Sequence, residues 1–212
     1  MKVGRGDPVL DIGVGRESQS LAKLRDMEAL VTAIDIDINA LRKHKILGAH
    51  LVQCNAGRLP FRNAAFNFAI ANYTFHEIDP PFHANAFTEL LRVARRVMVV
   101  EPAPGRDPVC RRFQEIWTQA MHSIGHHEDY ARLGHWAGLM QKSGAQLLLT
   151  KAFVFTERLI GQEGGEYVES SIREMTESGV APVHIDAMKN LKVDVETKGM
   201  IFPDANVIIG GA

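Results

Sequence analysis

The chain has 212 residues, of which 46% are hydrophobic and 23% are charged. These proportions are those of a soluble globular protein, and they exclude disordered and fibrous classes. The 24 Lys and Arg residues nearly balance the 25 Asp and Glu residues, which gives a net charge of −1. A nucleic-acid-binding protein usually has a basic excess, so this charge disfavours nucleic acid as the main partner.

Neither the cysteines nor the apolar segments indicate secretion or a membrane. Cys54 and Cys110 are the only cysteines, and their unrelated sequence contexts predict no disulfide framework and no zinc knuckle. The first residues, MKVGRGDP, lack the apolar segment of a secretory signal. No apolar run approaches the roughly 18 residues that cross a bilayer. We therefore expect a cytoplasmic protein without a membrane partner.

In the first half of the chain, short apolar runs alternate with segments of helical periodicity. The runs predict strands over 8–13, 29–36, 50–54, 66–71 and 97–100. The segments between them predict helices over 18–29, 39–47 and 84–94. Strands of this length separated by helices indicate βαβ units and a parallel sheet covered on both faces.

The second half is less regular, because several prolines interrupt the chain after the fifth strand. Its periodicity predicts helices over 109–123, 131–142, 167–178 and 183–193, and strands over 146–155 and 206–209. No internal repeat, low-complexity tract or linker is visible, so we expect 1–212 to form a single domain.

The segment VLDIGVG, residues 9–15, follows a predicted strand and opens a predicted helix. Gly13 and Gly15 allow a tight turn and a close approach to a ligand, and a helix N-terminus favours negative charge. A dinucleotide-binding loop has a third glycine in the pattern G-x-G-x-x-G, where this chain has Ser18. The alternative for these glycines is a strand–helix turn that binds nothing.

Asp35 ends the second predicted strand, where a carboxylate can accept hydrogen bonds from both hydroxyls of a ribose. Asp37 is the rival ribose ligand if the strand ends two residues later. A surface carboxylate that caps the following segment is the structural alternative.

Four segments follow one another in the order LDIGVG, AIDID, QCNAGRLPFRNAAFNFAIANYTFHEI and ELLRVARRVMVVEP. Their order and spacing, over about residues 8–102, resemble the class I S-adenosylmethionine-dependent methyltransferases, and most closely methyltransferase type 11, the ubiquinone/menaquinone-biosynthesis-like group. The resemblance implies an α/β fold with a doubly wound, mostly parallel seven-stranded sheet whose last strand is antiparallel. It also implies a cofactor half of about 1–102 and a substrate-covering half of about 103–212.

The resemblance further implies which residues hold S-adenosyl-L-methionine. They are Asp11 near the amino group, Gly13 and Gly15 beneath the methionine moiety, Asp35 at the ribose, Ile36 and Ala56 beside the adenine ring, Asn55 at the adenine amino group, and Asn72 and Tyr73 along the methionine side. His76, just past the fourth strand, is the first candidate for a catalytic base, and Glu101, at the end of the fifth, is the second.

This chain departs from the family pattern at several points. Asn55 stands where the family prefers Asp, although an amide oxygen can still accept a hydrogen bond. Arg16, Glu17 and Ser18 stand where the family prefers a further glycine. Many relatives also have N-terminal helices over the substrate, whereas only about eight residues precede the first strand here. The segment 102–130 is predicted to cover the substrate pocket, and a second copy or a partner chain is the alternative cover.

The predicted function is methyl transfer to a small-molecule acceptor. The main alternative is a regulatory or scaffold protein that binds S-adenosylmethionine or S-adenosylhomocysteine without methyl transfer. A nucleotide-dependent oxidoreductase is the other alternative, and it would need the missing third glycine.

His122, His126, His127 and Glu128 cluster near a predicted helix end, where an i, i+4 His pair could chelate a metal ion. Gly125 interrupts the helix and no distant third ligand is indicated, so we expect a solvated polar terminus and no metal.

Overall fold

The structure, a computed structural model, describes residues 2–15, 18–44 and 48–211. This part of the chain contains nine strands: β1 (Pro8–Ile12), β2 (Leu30–Asp35), β3 (His50–Gln53), β4 (Phe66–Asn72), β5 (Ala94–Pro102), β6 (Gln146–Phe153), β7 (Arg158–Leu159), β8 (Met200–Ile201) and β9 (Ala205–Gly211). Its α-helices are α1 (Gln19–Asp26), α2 (Ile38–Lys43), α3 (Pro80–Val93), α4 (Pro108–Ser123), α5 (Leu133–Lys142), α6 (Gly161–Glu177) and α7 (Pro182–Lys198).

Seven strands form one sheet in the order β3-β2-β1-β4-β5-β9-β6, and β1 to β5 pair in parallel. β9 runs opposite to β5. Asp204, just before β9, accepts a hydrogen bond from Ala103 at the end of β5, and Gly211 lies beside Arg95 at the start of β5. The predicted doubly wound, mostly parallel sheet is confirmed. Because β1 to β5 are parallel, their carboxyl ends meet at one edge, where ligands bind in such folds.

One face of the sheet is covered over β1 to β3 by α1 and α2. Ser18 starts α1, because its hydroxyl accepts the N–H of Leu21 at 3.0 Å. Leu21 and Leu24 of α1 then pack with Val9 and Val31 in a buried cluster. Ser18 therefore acts as a helix cap at the point where the family pattern suggested a glycine.

The opposite face is covered by α3 and α5, which pack against each other. A Cβ on Gly210 of β9 would lie 2.8 Å from the Sδ atom of Met140 of α5. The ring of Phe75, in a short 3-10 helix after β4, stacks on Phe87 of α3 with centroids 4.3 Å apart. Trp136 of α5 is 1% exposed and belongs to the core.

The chain divides into two compact units. The first consists of Met1–Glu101, Leu133–Lys151 and Asn206–Ala212, and the second of Pro102–Arg132 and Ala152–Ala205. α5, most of β6 and most of β9 belong to the first unit, and the predicted halves of about 1–102 and 103–212 stay a prediction. The single-domain assignment stays a prediction.

In the second unit, α6 and α7 pack along each other, and α7 also packs on α4. Their shared core contains Cys110, Met175, Met188 and Val195, which are almost completely buried, and Trp117 packs on it. Burial and the nearby Asp107 raise the pKa of the Cys110 thiol to about 12.

Several elements have ends that differ from the prediction. α3 begins at Pro80 rather than at 84, because proline is tolerated in a first helical turn that needs no N–H. α6 begins at Gly161 rather than at 167, since its packing on α7 offsets the low helix propensity of glycine. The antiparallel pair β7 and β8 was not predicted, because two-residue strands carry no readable period. The end of the predicted helix 39–47 lies outside the described residues. None of the described helices is long and apolar enough to cross a membrane.

Candidate functional site

All eleven predicted site residues lie in the first unit, in or just after the parallel strands β1 to β5. The loop after β1 turns back on itself, with φ values of 65° at Gly13 and 56° at Gly15. Its backbone N–H groups donate hydrogen bonds to other residues of the chain. Those of Gly13 and Val14 donate to the carbonyl of Ile34, and that of Gly15 donates to Asp35. The described part of this loop therefore offers no row of free N–H groups for a pyrophosphate, which disfavours the dinucleotide alternative.

Glycine is required at the two positions of the loop for different physical reasons. A Cβ on Gly13 would come within 2.3 Å of the Thr74 methyl group, so a neighbouring side chain excludes any larger residue there. A Cβ on Gly15 would meet no atom within 4 Å, and only the positive φ requires glycine. The open side of Gly15 is where a ligand can approach the backbone, whereas the surroundings of Gly13 are filled by Thr74.

Asp35 is the last residue of β2, as predicted, and its role as the ribose ligand stays a prediction. One Asp35 oxygen accepts the N–H of Gly15 and the other that of Asp37, each at 2.8 Å. Asp37 has a separate task, since its carboxylate caps α2 through the N–H of Asn39 at 2.8 Å. A carboxylate has about four acceptor positions, so Asp35 keeps capacity for hydroxyl donors.

His44 was not predicted as a site residue. It is buried, and its Nε2 lies 2.8 Å from the carbonyl oxygen of Gly15. Together, Asp35 and His44 contact both backbone polar groups of Gly15. His44 and Gly15 are 29 positions apart in the sequence, which leaves no local sequence signal for this contact.

Asp11 is almost completely buried at the end of β1. Ser20 donates to both of its oxygens at 2.9 Å, and the Ser18 hydroxyl lies 3.4 Å away. Burial raises the pKa of Asp11 to about 7, although the two serine hydrogen bonds act in the opposite direction. The predicted place of Asp11 beside a cofactor amino group stays a prediction, and a cation there would favour the carboxylate.

The residues predicted to contact adenine follow β2 and β3. The Ile36 side chain is 68% exposed beyond the end of β2, and Gln53 donates to its carbonyl oxygen. Asn55 is exposed, and its Oδ1 accepts the N–H of Gly57 at 2.7 Å. Ala56 is half-buried. The Asn55 oxygen is thus already engaged in a turn, with one lone pair left for a ligand.

Asn72 and Tyr73 close β4. Asn72 is half-buried, whereas Tyr73 is 43% exposed and has a φ of 53°. The backbone N–H of Tyr73 donates to Val100 on β5 at 2.8 Å. Burial, and to a smaller extent Glu101, raises the pKa of the Tyr73 hydroxyl.

Glu101 and His76 form the most enclosed polar group of the site. Glu101 is completely buried, and its oxygens accept the backbone N–H groups of Thr74, Phe75 and His76. The Nδ1 atom of His76 lies 2.7 Å from Glu101 Oε2, and His76 is 7% exposed. The Glu101 carboxylate is thus completely buried with four hydrogen-bond contacts, and its role as a second base stays a prediction.

The histidine cluster of the second unit is also less solvated than expected. Glu128 is 4% exposed, and its backbone N–H donates to the Nε2 atom of His122 at 3.3 Å. Burial and Glu128 raise the pKa of Tyr130 well above its usual value. The expectation of a solvated terminus was therefore wrong for Glu128, because a histidine and a tyrosine near in sequence fold over it.

A comparison with known families finds a match for the part of the chain that carries most of these residues. Residues 10–97 match a family model described as a methyltransferase domain. This part of the chain is a methyltransferase domain. S-Adenosylmethionine is its cofactor, and the ubiquinone/menaquinone-like subtype stays a prediction. None of the curated protein sequences matches the chain.

Solved structures with the same fold have low sequence identity. A protein assigned as a methyltransferase of an antibiotic biosynthesis pathway in Anabaena variabilis has a TM-score of 0.71 at 13% identity, over 99% of this chain and 92% of that one. Phosphoethanolamine N-methyltransferase 2 of Haemonchus contortus, in complex with phosphomonomethylethanolamine and S-adenosylhomocysteine, has a TM-score of 0.63 at 15% identity, over 99% of this chain and 49% of that one. The complex of the Haloferax volcanii methyltransferase activator Trm112 with a protein assigned as a methyltransferase has a TM-score of 0.63 at 13% identity, over 100% and 85%.

Proposed function

We propose that this methyltransferase acts on a small-molecule acceptor whose nucleophilic atom loses a proton, and that His76 takes this proton. The observation that carries the proposal is the 2.7 Å contact between His76 Nδ1 and the buried Glu101 carboxylate. When Nδ1 donates to a carboxylate, Nε2 is the basic nitrogen of the ring. A positioned base of this kind contributes about 10²–10⁴-fold to a rate.

The residues around the β1 loop fit the cofactor. The open side of Gly15 suits a ligand that approaches the backbone. Asp35 has acceptor capacity left for the hydroxyls of a ribose, and the exposed Ile36 side chain suits an apolar ring. Asp11 suits a positively charged group, since a cation beside it would stabilise its carboxylate. The cofactor supplies an activated methyl group when it is bound, and the remaining work of this chain is alignment and exclusion of water.

The proposal of a small-molecule acceptor is supported by charge. The net charge of −1 provides no general attraction for a nucleic acid. The Haemonchus contortus neighbour holds a small amine in its complex, and an amine is one class of acceptor that loses a proton. The Haloferax volcanii neighbour is bound to an activator chain. A partner chain or a second copy that covers the substrate site stays a prediction for this protein.

Calorimetric titration with S-adenosylhomocysteine tests the cofactor site. Asp35→Asn is expected to weaken binding at least about tenfold, because an amide oxygen replaces one of the carboxylate acceptors. Asp37→Asn is the matched control, since Asp37 caps α2 and is expected to change binding less than about twofold. Equal losses in both variants would contradict the ribose assignment.

Turnover of radiolabelled S-adenosylmethionine with a panel of small amines, phenols and carboxylic acids tests the acceptor. His76→Gln is expected to lower kcat about 10²–10⁴-fold while cofactor affinity stays unchanged. His83→Gln is the control, because His83 is a buried histidine whose Nε2 contacts the carbonyls of Phe75 and Ile78. Cofactor binding without turnover on any acceptor would favour the scaffold alternative.

A positioning role of Glu101 at His76 has a separate readout. In Glu101→Gln the acidic limb of the pH–rate profile is expected to move to lower pH, because a neutral amide stabilises a protonated imidazole less than a carboxylate does. The limb is expected to stay in place in His83→Gln. An unchanged limb in a folded Glu101→Gln protein would leave Glu101 with a purely structural role.

A further inference from the structure

Tyr73, directly after β4, has a left-handed backbone conformation with a φ of 53°. A residue with a Cβ rarely adopts this conformation, and for a bulky side chain it is a genuine outlier. Glu28 and Ala64 are the other non-glycine residues with a positive φ in the described part of the chain, and both lie in turns outside the predicted site. Among the predicted site residues, all of which the structure describes, Tyr73 alone combines a side chain with a positive φ.

The turn at Tyr73 serves the backbone around it. Its N–H donates to the carbonyl oxygen of Val100 at 2.8 Å, and the N–H groups of the next three residues all donate to Glu101. Glycine would make this turn without strain. Strained residues of this kind cluster at functional sites, where the surrounding structure holds them in place. A tyrosine where glycine would be unstrained therefore indicates that the side chain itself has a function.

The Tyr73 side chain lies open beside His76. The centroids of the two rings are 6.4 Å apart and their planes meet at 83°, which is an edge-to-face contact. Tyr73 is 43% exposed, whereas His76 is buried. A tyrosine that served packing alone would gain stability by burying more of its ring. The exposed part of the ring is instead available to a ligand at the carboxyl edge of the sheet, where ligands bind in such folds.

Two carboxylates lie next to this pair of rings. Glu101 contacts Nδ1 of His76 at 2.7 Å, and after burial it is the second cause that raises the pKa of the Tyr73 hydroxyl. The Oε1 atom of Glu77 lies 3.9 Å from Nε2 of His76, and the Glu77 side chain is 64% exposed. Carboxylates and the negative face of an aromatic ring both attract cations. The surroundings of Tyr73 therefore favour a positively charged ligand group.

We propose that the Tyr73 ring binds the sulfonium group of the methyl donor and is a specificity-determining residue for the charged cofactor over its neutral product. When the methyl group leaves, the sulfur keeps the electron pair of the broken bond and loses its charge, so the attraction to the ring ends. The inference rests on the cofactor site of the proposed function and is independent of His76 as the base. An ammonium group of the acceptor has the same chemistry, and the experiment separates these two sources.

Calorimetry on the full chain without an acceptor tests the role of the ring. The measured quantity is the ratio of the affinities for S-adenosylmethionine and S-adenosylhomocysteine, because a change in the fold would alter both affinities alike. Tyr73→Leu is expected to lower this ratio about fivefold, since an aliphatic side chain has no negative face. Tyr73→Phe keeps the ring and is expected to change the ratio less than about twofold.

The strained backbone supplies a second readout. Tyr73→Gly is expected to lower the ratio as Tyr73→Leu does, while the urea concentration at the unfolding midpoint stays at or above that of the parent because the strain is relieved. Truncation of a side chain that only packs would lower the midpoint instead. Ala64→Gly is the matched control, since Ala64 has a φ of 50° and lies in the turn before β4. It relieves the same kind of strain and is expected to leave the ratio unchanged.

Three results would overturn the inference. They are an unchanged ratio in Tyr73→Leu, an equal fall of the ratio in Tyr73→Phe, and an equal fall in Ala64→Gly. If the ratio is unchanged but Tyr73→Leu abolishes binding of tetramethylammonium to the S-adenosylhomocysteine complex, the ring belongs to an acceptor ammonium and the sulfonium assignment is wrong. A His76→Gln variant that keeps its kcat would contradict the proposed base and leave the ratio untouched, so the two failures are distinguishable.

Discussion

Gly13 and Gly15 are two residues apart, yet they are expected to respond differently to the same change. Gly15→Ala adds only backbone strain and should cost about 1–2 kcal/mol in the free energy of unfolding. Gly13→Ala adds a clash with Thr74 and should cost about 2–5 kcal/mol. Urea unfolding of both variants measures this difference. Similar losses would mean that Thr74 moves aside freely.

The buried Asp11 predicts a pH dependence of stability. Its pKa is about 7 in the folded protein and 3.8 in an exposed chain, so between these values the folded state holds a proton that the unfolded state has lost. Its contribution to stability therefore falls as the pH rises from about 4 to 7. Asp11→Asn should gain stability relative to the parent over this interval, as measured by urea unfolding at several pH values.

Asp26→Asn is the control for this experiment, because Asp26 is exposed at the end of α1. Its difference from the parent should stay nearly constant over the same pH interval. A flat difference for Asp11→Asn as well would show that Asp11 is ionised throughout, with the serine hydroxyls outweighing its burial.

At the scale of elements, the start of α1 depends on Ser18. Ser18→Ala removes the acceptor for the N–H of Leu21 and should cost about 1 kcal/mol, whereas Ser18→Gly should cost a few tenths. Thermal unfolding of the two variants separates these values. If both lose the same amount, the bond from Ser18 to Asp11, rather than the cap, is the important contact.

The parallel strands explain why distant segments meet in one site. β1, β2, β4 and β5 all end at the same edge of the sheet, so the residues after each strand become neighbours although up to 90 positions separate Asp11 from Glu101. The short 3-10 helix after β4 then turns three backbone N–H groups towards Glu101. Two adjacent strands thereby fix the His76 ring.

At the scale of the whole molecule, cofactor binding should protect the first unit selectively. With S-adenosylhomocysteine at about 100 times its Kd, hydrogen exchange should slow in the segments that hold the ligand. The free energy of opening there should rise by up to about 2.7 kcal/mol. We expect this slowing in residues 13–15, 35–37, 55–57 and 72–73, and none in α6 or α7, which carry no predicted cofactor residue. Protection confined to α6 and α7 would contradict the assigned site.

The sequence by itself determined the sheet and the segments that carry the site. Apolar runs and the spacing of glycines and acids are local signals, so β1 to β5, the loop at Gly13 and Gly15, and Asp35 at the end of β2 could all be predicted. The resemblance to methyltransferases rested on the same local motifs, and the family model covers the same part of the chain.

Only the tertiary structure decided which polar groups are enclosed and which partners they have. The contact of His44 with Gly15, the four hydrogen bonds of Glu101 and the burial of Glu128 have no signature in periodicity. A polar residue gives the same sequence signal whether its side chain is solvated or buried. Its burial depends on elements far away in the chain, and the cost of burying it is met by hydrogen bonds that form only after those elements pack.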